Sequence, residues 1–286
     1  MGSKKQCAGR RVHHFRLWMI ADLLSLDFFV RSMLLTAMVA FFAGYFGVFV
    51  VQRQMSFLGS GLAHAAFGSV ALAMLLETEP LLIALPFTVL GASLIHWLGR
   101  RGLSADSSTG ILFSLSMALG ILFLSLRNSF GQDAFAYLFG SILYVEEADL
   151  WIAGGLLLLT LGSFAFWGQW AYAGLDSELA KSDGQKVDLM EWLLVCFLAV
   201  VIVLSIKLIG AVLITSFLVL PASAARMVSR SFARMTALSI AFSLFGAITG
   251  LLISAFVGVP ASAAIVLVHC FILGICLLLQ ARFSRS

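Results

Sequence analysis

An all-α, polytopic membrane protein with eight or nine transmembrane helices is the fold that this 286-residue sequence predicts, and three observations carry the expectation. The chain is 61% hydrophobic and only 11% charged, and its mean hydropathy is +1.05. Apolar stretches recur near 30–52, 56–76, 81–98, 107–126, 150–170, 191–207, 208–228, 235–257 and 261–280, close to the roughly 20 residues that cross about 30 Å of hydrocarbon. The alternating pattern of an outer-membrane barrel is missing, and lipid leaves no backbone group unpaired, so the spans are expected to be helices.

The chain divides into an N-terminal segment, 1–29, a transmembrane domain, 30–280, and a basic tail, 281–286. Residues 17–30, LWMIADLLSLDFFV, are interrupted by Asp22 and Asp27 and are short for a span, so an interfacial helix is expected there. No small-residue cleavage site follows, which argues against a signal peptide. Between the spans, Arg53, Arg100, Arg101, Lys181, Lys186, Arg226, Arg230, Arg234, Arg282 and Arg285 fall on one side if residues 134–147 dip in without crossing. That side is cytoplasmic by the positive-inside rule. Glu77, Glu79, Asp133, Glu146, Glu147 and Asp149 then face outward, with Arg127 and Lys207 as the nearby cations. Nine crossings place the N-terminus outside, in conflict with Lys4, Lys5, Arg10, Arg11 and Arg16.

Several chemistries are excluded. HExxH, GxSxG and GxxxxGK[ST] are absent, so the chain has no nucleotide loop of its own. No basic run with interleaved aromatics suggests nucleic acid. Cys7, Cys196, Cys270 and Cys276 form no CxxC pair and read as small buried hydrophobes. Gly44, Gly47, Gly120, Gly140, Gly210, Gly246 and Gly250 suit close helix packing, where apolar burial between helices brings little gain in lipid. Pro221 is expected to break the seventh span, leaving Arg226, Arg230 and Arg234 at helical spacing on one face. Pro260 fits a turn between the last two spans.

The most informative stretch is 55–72, MSFLGSGLAHAAFGSVAL, which places His64 midway along an otherwise uncharged helix. An ionisable group at membrane depth is a functional candidate. Ser60, His64 and Gly68 recur every four residues, so a hydroxyl, an imidazole and bare backbone share one face. His96 and His269 are each isolated in their own helices and read as hydrogen-bonded structural histidines. Met55 and Met74, which flank the His64 helix, read as gap-fillers.

In order, the segments VVQRQMSFLGSGLAHAAFGSVALAMLL, STGILFSLSMALGILFLS, DAFAYLFGSILYVEEADL, SELAKSDG and IGAVLITSFLVLPASAAR resemble the membrane permease subunits of ABC importers for zinc, manganese and iron. The resemblance runs from about residue 30 to 280. It implies a multi-pass protein of the bacterial inner membrane that forms the translocation pathway by alternating access. Its partners would be cytoplasmic ATP-binding subunits, an extracytoplasmic metal-binding protein and a second permease subunit, as homodimer or heterodimer. No permanently bound cofactor is implied, because the divalent metal ion is cargo. An acidic outer face suits a cation importer.

In that family an aspartate and a histidine four residues apart serve the metal. Here the matching positions are Ser60 and His64, so imidazole is present but the carboxylate is replaced by a neutral hydroxyl. The family's acidic residue before the late proline is also missing, with Val257, Gly258 and Val259 in that neighbourhood. The loops 176–188 and 222–235 resemble cytoplasmic segments of importer permeases, and Arg226, Arg230 and Arg234 mark the second as the expected ATPase-coupling element. The alternatives are a permease for iron-siderophore or cobalamin importers, against which GSGLAHA argues, and an intramembrane hydrolase using Ser60 and His64, for which no nucleophile elbow or oxyanion-hole sequence exists.

Overall fold

The computed structural model describes residues 27–127 and 146–283. Residues 17–26 of the expected interfacial helix over 17–30, and residues 134–145 of the expected dip over 134–147, are outside the described residues, and residues 27–30 open the first long helix. Among the described residues there are no strands, and nine helices are long and apolar enough to cross a membrane. They are α1 (Asp27–Gln52), α2 (Leu58–Leu75), α3 (Pro80–Arg100), α4 (Ala105–Leu126), the composite α5 (Glu147–Ser163) and α6 (Trp167–Leu175), α8 (Val187–Ile209), α9 (Ala211–Val228), α10 (Phe232–Val257) and α11 (Ala261–Phe283). A 3-10 turn, Phe164–Phe166, joins α5 to α6, and the short α7 (Ser177–Ser182) lies in the following loop.

The ends follow from local chemistry. Ser104 Oγ accepts from the Ser107 N–H at 3.1 Å, Asp176 from Leu179 and Ser231 from Arg234, so three helices on the basic side start on a side-chain cap. Glu146 and Asp149 form a capping box at the start of α5. Pro80 opens α3, where a missing N–H costs nothing. Gly210 (φ +85°) makes the one-residue joint between α8 and α9, and Gly258 (φ +75°) caps α10 in the left-handed region ahead of Pro260.

Pro221 does not break its span. It lies inside α9, which continues to Val228, so Arg226 is on α9, Arg230 in the three-residue link and Arg234 in the first turn of α10. The three arginines therefore do not share a continuous helical face. Membrane helices keep an interior proline because neighbouring helices and local adjustment satisfy the freed carbonyl. Of the described cysteines, Cys276 is buried, Cys196 is half-buried and Cys270 faces outward, so the expected burial fails for Cys270.

Ion pairs at both ends show how the crossings align. Arg53–Glu191 (3.0 Å) and Arg100–Asp188 (3.5 Å) lie on the basic side, whereas Arg31–Glu147 (3.0 Å) and Lys207–Asp149 (3.4 Å) lie on the opposite side. That arrangement agrees with nine crossings, and the basic end is the one that the positive-inside rule assigns to the cytoplasm.

Two helix groups meet around α1, α2 and α8, the most enclosed spans. One consists of α2, α3 and α4, and the other of α1, α9, α10 and α11. Aromatic contacts hold α1 and α8 against the α5–α6 crossing: Tyr45 stacks on Phe164 at 4.4 Å, Phe49 meets Trp170 edge-on at 5.7 Å, and the Trp170 indole donates to the Met190 carbonyl at 2.9 Å. Backbone approach is close where glycines fall. A Cβ at Gly61 would lie 2.2 Å from Thr109 Cγ2 and one at Gly68 would lie 2.6 Å from the Ser116 carbonyl oxygen. The constant offset of 48 (109 − 61 and 116 − 68) shows α2 and α4 running parallel in register.

Candidate functional site

The register of α2 against α4 positions His64. Between the glycine contacts at 61 and 68, the imidazole packs edge-on against Phe113 of α4, with ring centroids 4.4 Å apart. Its Nδ1 is buried without a hydrogen-bond partner, while the residue as a whole is only half-buried. Most of α2 is buried, and Ser60 and His64 form the partly open part of its cytoplasmic half. The expected shared face is present, with Gly68 closed over by α4.

A second polar stripe lies beside it. Thr215 and Ser216 of α9 are half-buried, and both hydroxyls donate to the Val212 carbonyl, at 2.9 and 3.0 Å. A Cβ at Gly59 would lie 3.4 Å from Thr215 Cγ2, which brings α9 directly against the start of α2. Sequence reasoning missed these hydroxyls, although Ser216 and Ser223 are seven residues apart and share a helix face. Below them, a cavity of about 350 Å³ is bounded by Gln54, Ser56, Asp106, Ser223 and Arg226. Asp106, in the first turn of α4, is the one carboxylate lining this cavity and was not singled out from sequence.

Among the described residues, no group of three or more histidine, cysteine, aspartate or glutamate side chains could hold a metal ion. On the partly open faces of α2 and α9 the described residues present one imidazole, that of His64, and neutral hydroxyls, with the Asp106 carboxylate in the cavity below. His269 is of another kind. It is 1% exposed, its Nδ1 pairs with the Ile265 carbonyl at 2.9 Å, and its ring meets Phe217 edge-on at 5.0 Å, which is structural packing. His96 borders a cytoplasmic cavity and is half-buried.

The arginines divide by role. Arg226 donates to the Val51 carbonyl at 3.2 Å, tying the end of α9 to the end of α1, yet much of it remains exposed. Arg230 and Arg234 are exposed on the same side. Arg53, in the link from α1 to α2, donates to Glu191 at 3.0 Å and to the Trp170 carbonyl at 3.1 Å. Burial lowers its pKa, and the Glu191 carboxylate opposes that shift.

Among the described residues, nine apolar crossings and a polar stripe on the partly open faces of α2 and α9 form the architecture of a membrane-embedded transport subunit. The sequence pattern of the ABC 3 transport family matches residues 25–280, and the chain belongs to that family. It is similar to the manganese import system permease protein ScaB of Streptococcus gordonii, at 34% identity over 85% of this chain and 88% of that protein. It is also similar to ZnuB, the high-affinity zinc uptake system membrane protein of Haemophilus influenzae, at 32% identity over 82% of this chain and 91% of that protein. Among solved structures, PsaBC from Streptococcus pneumoniae in complex with Fab matches with 30% identity and a TM-score of 0.77, covering 90% of this chain and 95% of that one.

Proposed function

We propose that the chain is the permease of an ATP-driven importer of manganese or zinc, and that the ion passes His64 in transit. The observation that carries the reading is the half-open imidazole at the middle of α2, with an unpartnered Nδ1 and a hydroxyl one turn away. An ionisable side chain at membrane depth that is neither paired nor fully packed away is costly to keep unless it serves a pathway. Cytoplasmic ATP-binding subunits supply the energy, an extracytoplasmic metal-binding protein supplies the ion, and a second permease subunit completes the wall. Weak binding is compatible with conduction, because an ion must leave as readily as it enters.

Donor chemistry gives this reading a direction. Imidazole without carboxylate favours zinc, whereas manganese prefers oxygen ligands. In proteoliposomes holding the complete complex with its binding protein, radioactive zinc is therefore expected to outcompete manganese. Ser60→Asp is expected to move that ratio toward manganese by about threefold or more, through one added oxygen ligand worth under ~1 kcal/mol in selectivity. ATP-dependent uptake of a siderophore or cobalamin, with no uptake of either ion, would sink the proposal.

Arg226, Arg230 and Arg234 serve as the coupling surface for the ATPase. Their split placement over α9, the link and α10 lets one docked partner move two helices together. Replacing all three by alanine is expected to leave the chain in the membrane but to lower metal-stimulated ATP hydrolysis roughly tenfold, a loss of about 1.4 kcal/mol in coupling. Unchanged stimulation by the binding protein and metal would move the coupling role to the 176–188 loop.

A further inference from the structure

The link between α1 and α2 is short and internally bonded. The Met55 N–H donates to the Val50 carbonyl and the Leu58 N–H to the Met55 carbonyl, both at 2.9 Å, so residues 53–57 hold little slack ahead of the His64 helix. Whatever displaces this link displaces the start of α2. Two sets of cytoplasmic contacts converge on it. From one side, Arg226 at the end of α9 donates to the Val51 carbonyl at 3.2 Å. From the other, Arg53 holds α6 and α8 at once, because Nη2 donates to the Trp170 carbonyl at 3.1 Å and Nη1 to Glu191 at 3.0 Å. Gly174 of α6 leaves room for the guanidinium, since a Cβ there would lie 3.4 Å from Nε.

α6 in turn carries the loop that follows it. Ala173 of α6, Ala180 of α7 and Val187 of α8 form one buried cluster, the Asp176 carboxylate caps α7 through the Leu179 N–H at 2.9 Å, and the Tyr172 hydroxyl donates to Asp183. The α6–α7 corner and the first turn of α8 are therefore one packed unit on the cytoplasmic face, and Arg53 attaches it to the link. Taking a guanidinium out of water is costly, and an apolar side chain would fill the same space without that cost. It would also be free to slide, whereas the planar fork fixes the link in direction as well as distance. The neighbouring pair, Arg100–Asp188, joins α3 to α8 and is far more open, with side chains 62% and 47% exposed against 10% and 35% for Arg53 and Glu191.

We propose that Arg53 is the joint through which movement of the cytoplasmic face reaches the His64 helix, a positioning residue for transport that acts through α2 and not on the ion. The inference rests on the transport reading above. It is independent of which cytoplasmic loop meets the ATPase, because α9 and the α6–α7 corner converge on the same link. Lysine cannot replace this arginine, since one ammonium at the end of a flexible stem keeps the charge beside Glu191 but not the fork that also holds the Trp170 carbonyl.

The test follows hydrogen exchange over residues 58–64 in the complete complex, nucleotide-free and trapped with ATP and vanadate, for wild type, Arg53→Lys and Arg100→Ala. Zinc or manganese uptake per ATP hydrolysed is measured on the same preparations. The expected result is a nucleotide-dependent change in exchange that Arg53→Lys reduces at least about threefold and Arg100→Ala leaves intact, with uptake per ATP falling by a similar factor in Arg53→Lys alone. A residue that only holds the fold would lower the amount of complex and leave both ratios per assembled molecule unchanged. The wild-type change in exchange in Arg53→Lys, or no change in wild type itself, would overturn the proposal. If Arg53→Lys fails to assemble, Glu191→Gln is read in its place, with a reduction of at least about twofold expected and a full wild-type response overturning the joint. A wild-type complex that imports neither ion sinks the transport reading, while hydrogen exchange still decides on Arg53.

Discussion

Replacing His64 by alanine is expected to lower ATP-driven uptake of zinc or manganese by at least about tenfold, roughly 1.4 kcal/mol on the transport barrier, while the complex still assembles and hydrolyses ATP. The imidazole is the one strong metal donor on the open part of α2, and nothing in that helix replaces it. Its loss leaves Ser60, whose neutral hydroxyl is a poor substitute for the water the ion sheds. Fold damage should be small, because the ring is half open and meets Phe113 edge-on. His269→Ala provides the contrast. That residue is buried against Phe217 and Gly246 and bonds the Ile265 carbonyl, so its loss should lower melting temperature and yield for every substrate alike. Radiotracer uptake and melting of both variants decide the matter. Full uptake by His64→Ala would place the ion route elsewhere.

The nine helices were readable in the sequence because each has enough apolar length to satisfy its backbone alone, whatever its neighbours do. Their ends were readable to within a few residues where a cap or a left-handed glycine enforces them, as at Ser104 and Gly258. Pro221 misled for a physical reason: a rule calibrated on water-exposed helices overstates the cost of proline where other helices can satisfy the freed carbonyl. His64 was legible because a charge-bearing group amid apolar residues needs no structure to stand out. Thr215, Ser216, Asp106 and the Arg53 contacts were not, since each matters only through what another helix brings beside it. Glycine content announced close packing without saying which glycine touches what. Gly120 meets the Phe67 ring, whereas Gly99, Gly154 and Gly155 have nothing within 4 Å of a built Cβ.

That difference among glycines sets up the other large effect, at Gly47. A Cβ there would lie 2.2 Å from the Leu218 carbonyl oxygen and 3.0 Å from its carbon, so the obstruction is backbone and no rotamer change relieves it. On the other side α1 is held as closely: a Cβ at Gly44 would lie 3.0 Å from Ile240 Cα, and Ser239 donates to the Gly44 carbonyl at 2.7 Å. α1 is therefore clamped between α9 and α10 and cannot back away from one without striking the other. Overpacking a core side chain typically costs about 1–3 kcal/mol, and separating two backbones should reach or exceed the top of that range. Gly47→Leu is thus expected to lower the melting temperature of the purified protein by roughly 10 °C, at about 2–4 °C per kcal/mol, or to prevent assembly. Gly154→Ala, a helical site with open space around it, should not melt below wild type and should rise by no more than about 4 °C, its gain in helix propensity being about 0.5–1 kcal/mol. Wild-type melting of Gly47→Leu would mean that α1 and α9 are not in contact. The loss should reach function as well. The same α9 carries Thr215, Ser216 and Arg226, and the same α1 ends at Arg53, so parting the two helices displaces the polar stripe and the cytoplasmic anchor together.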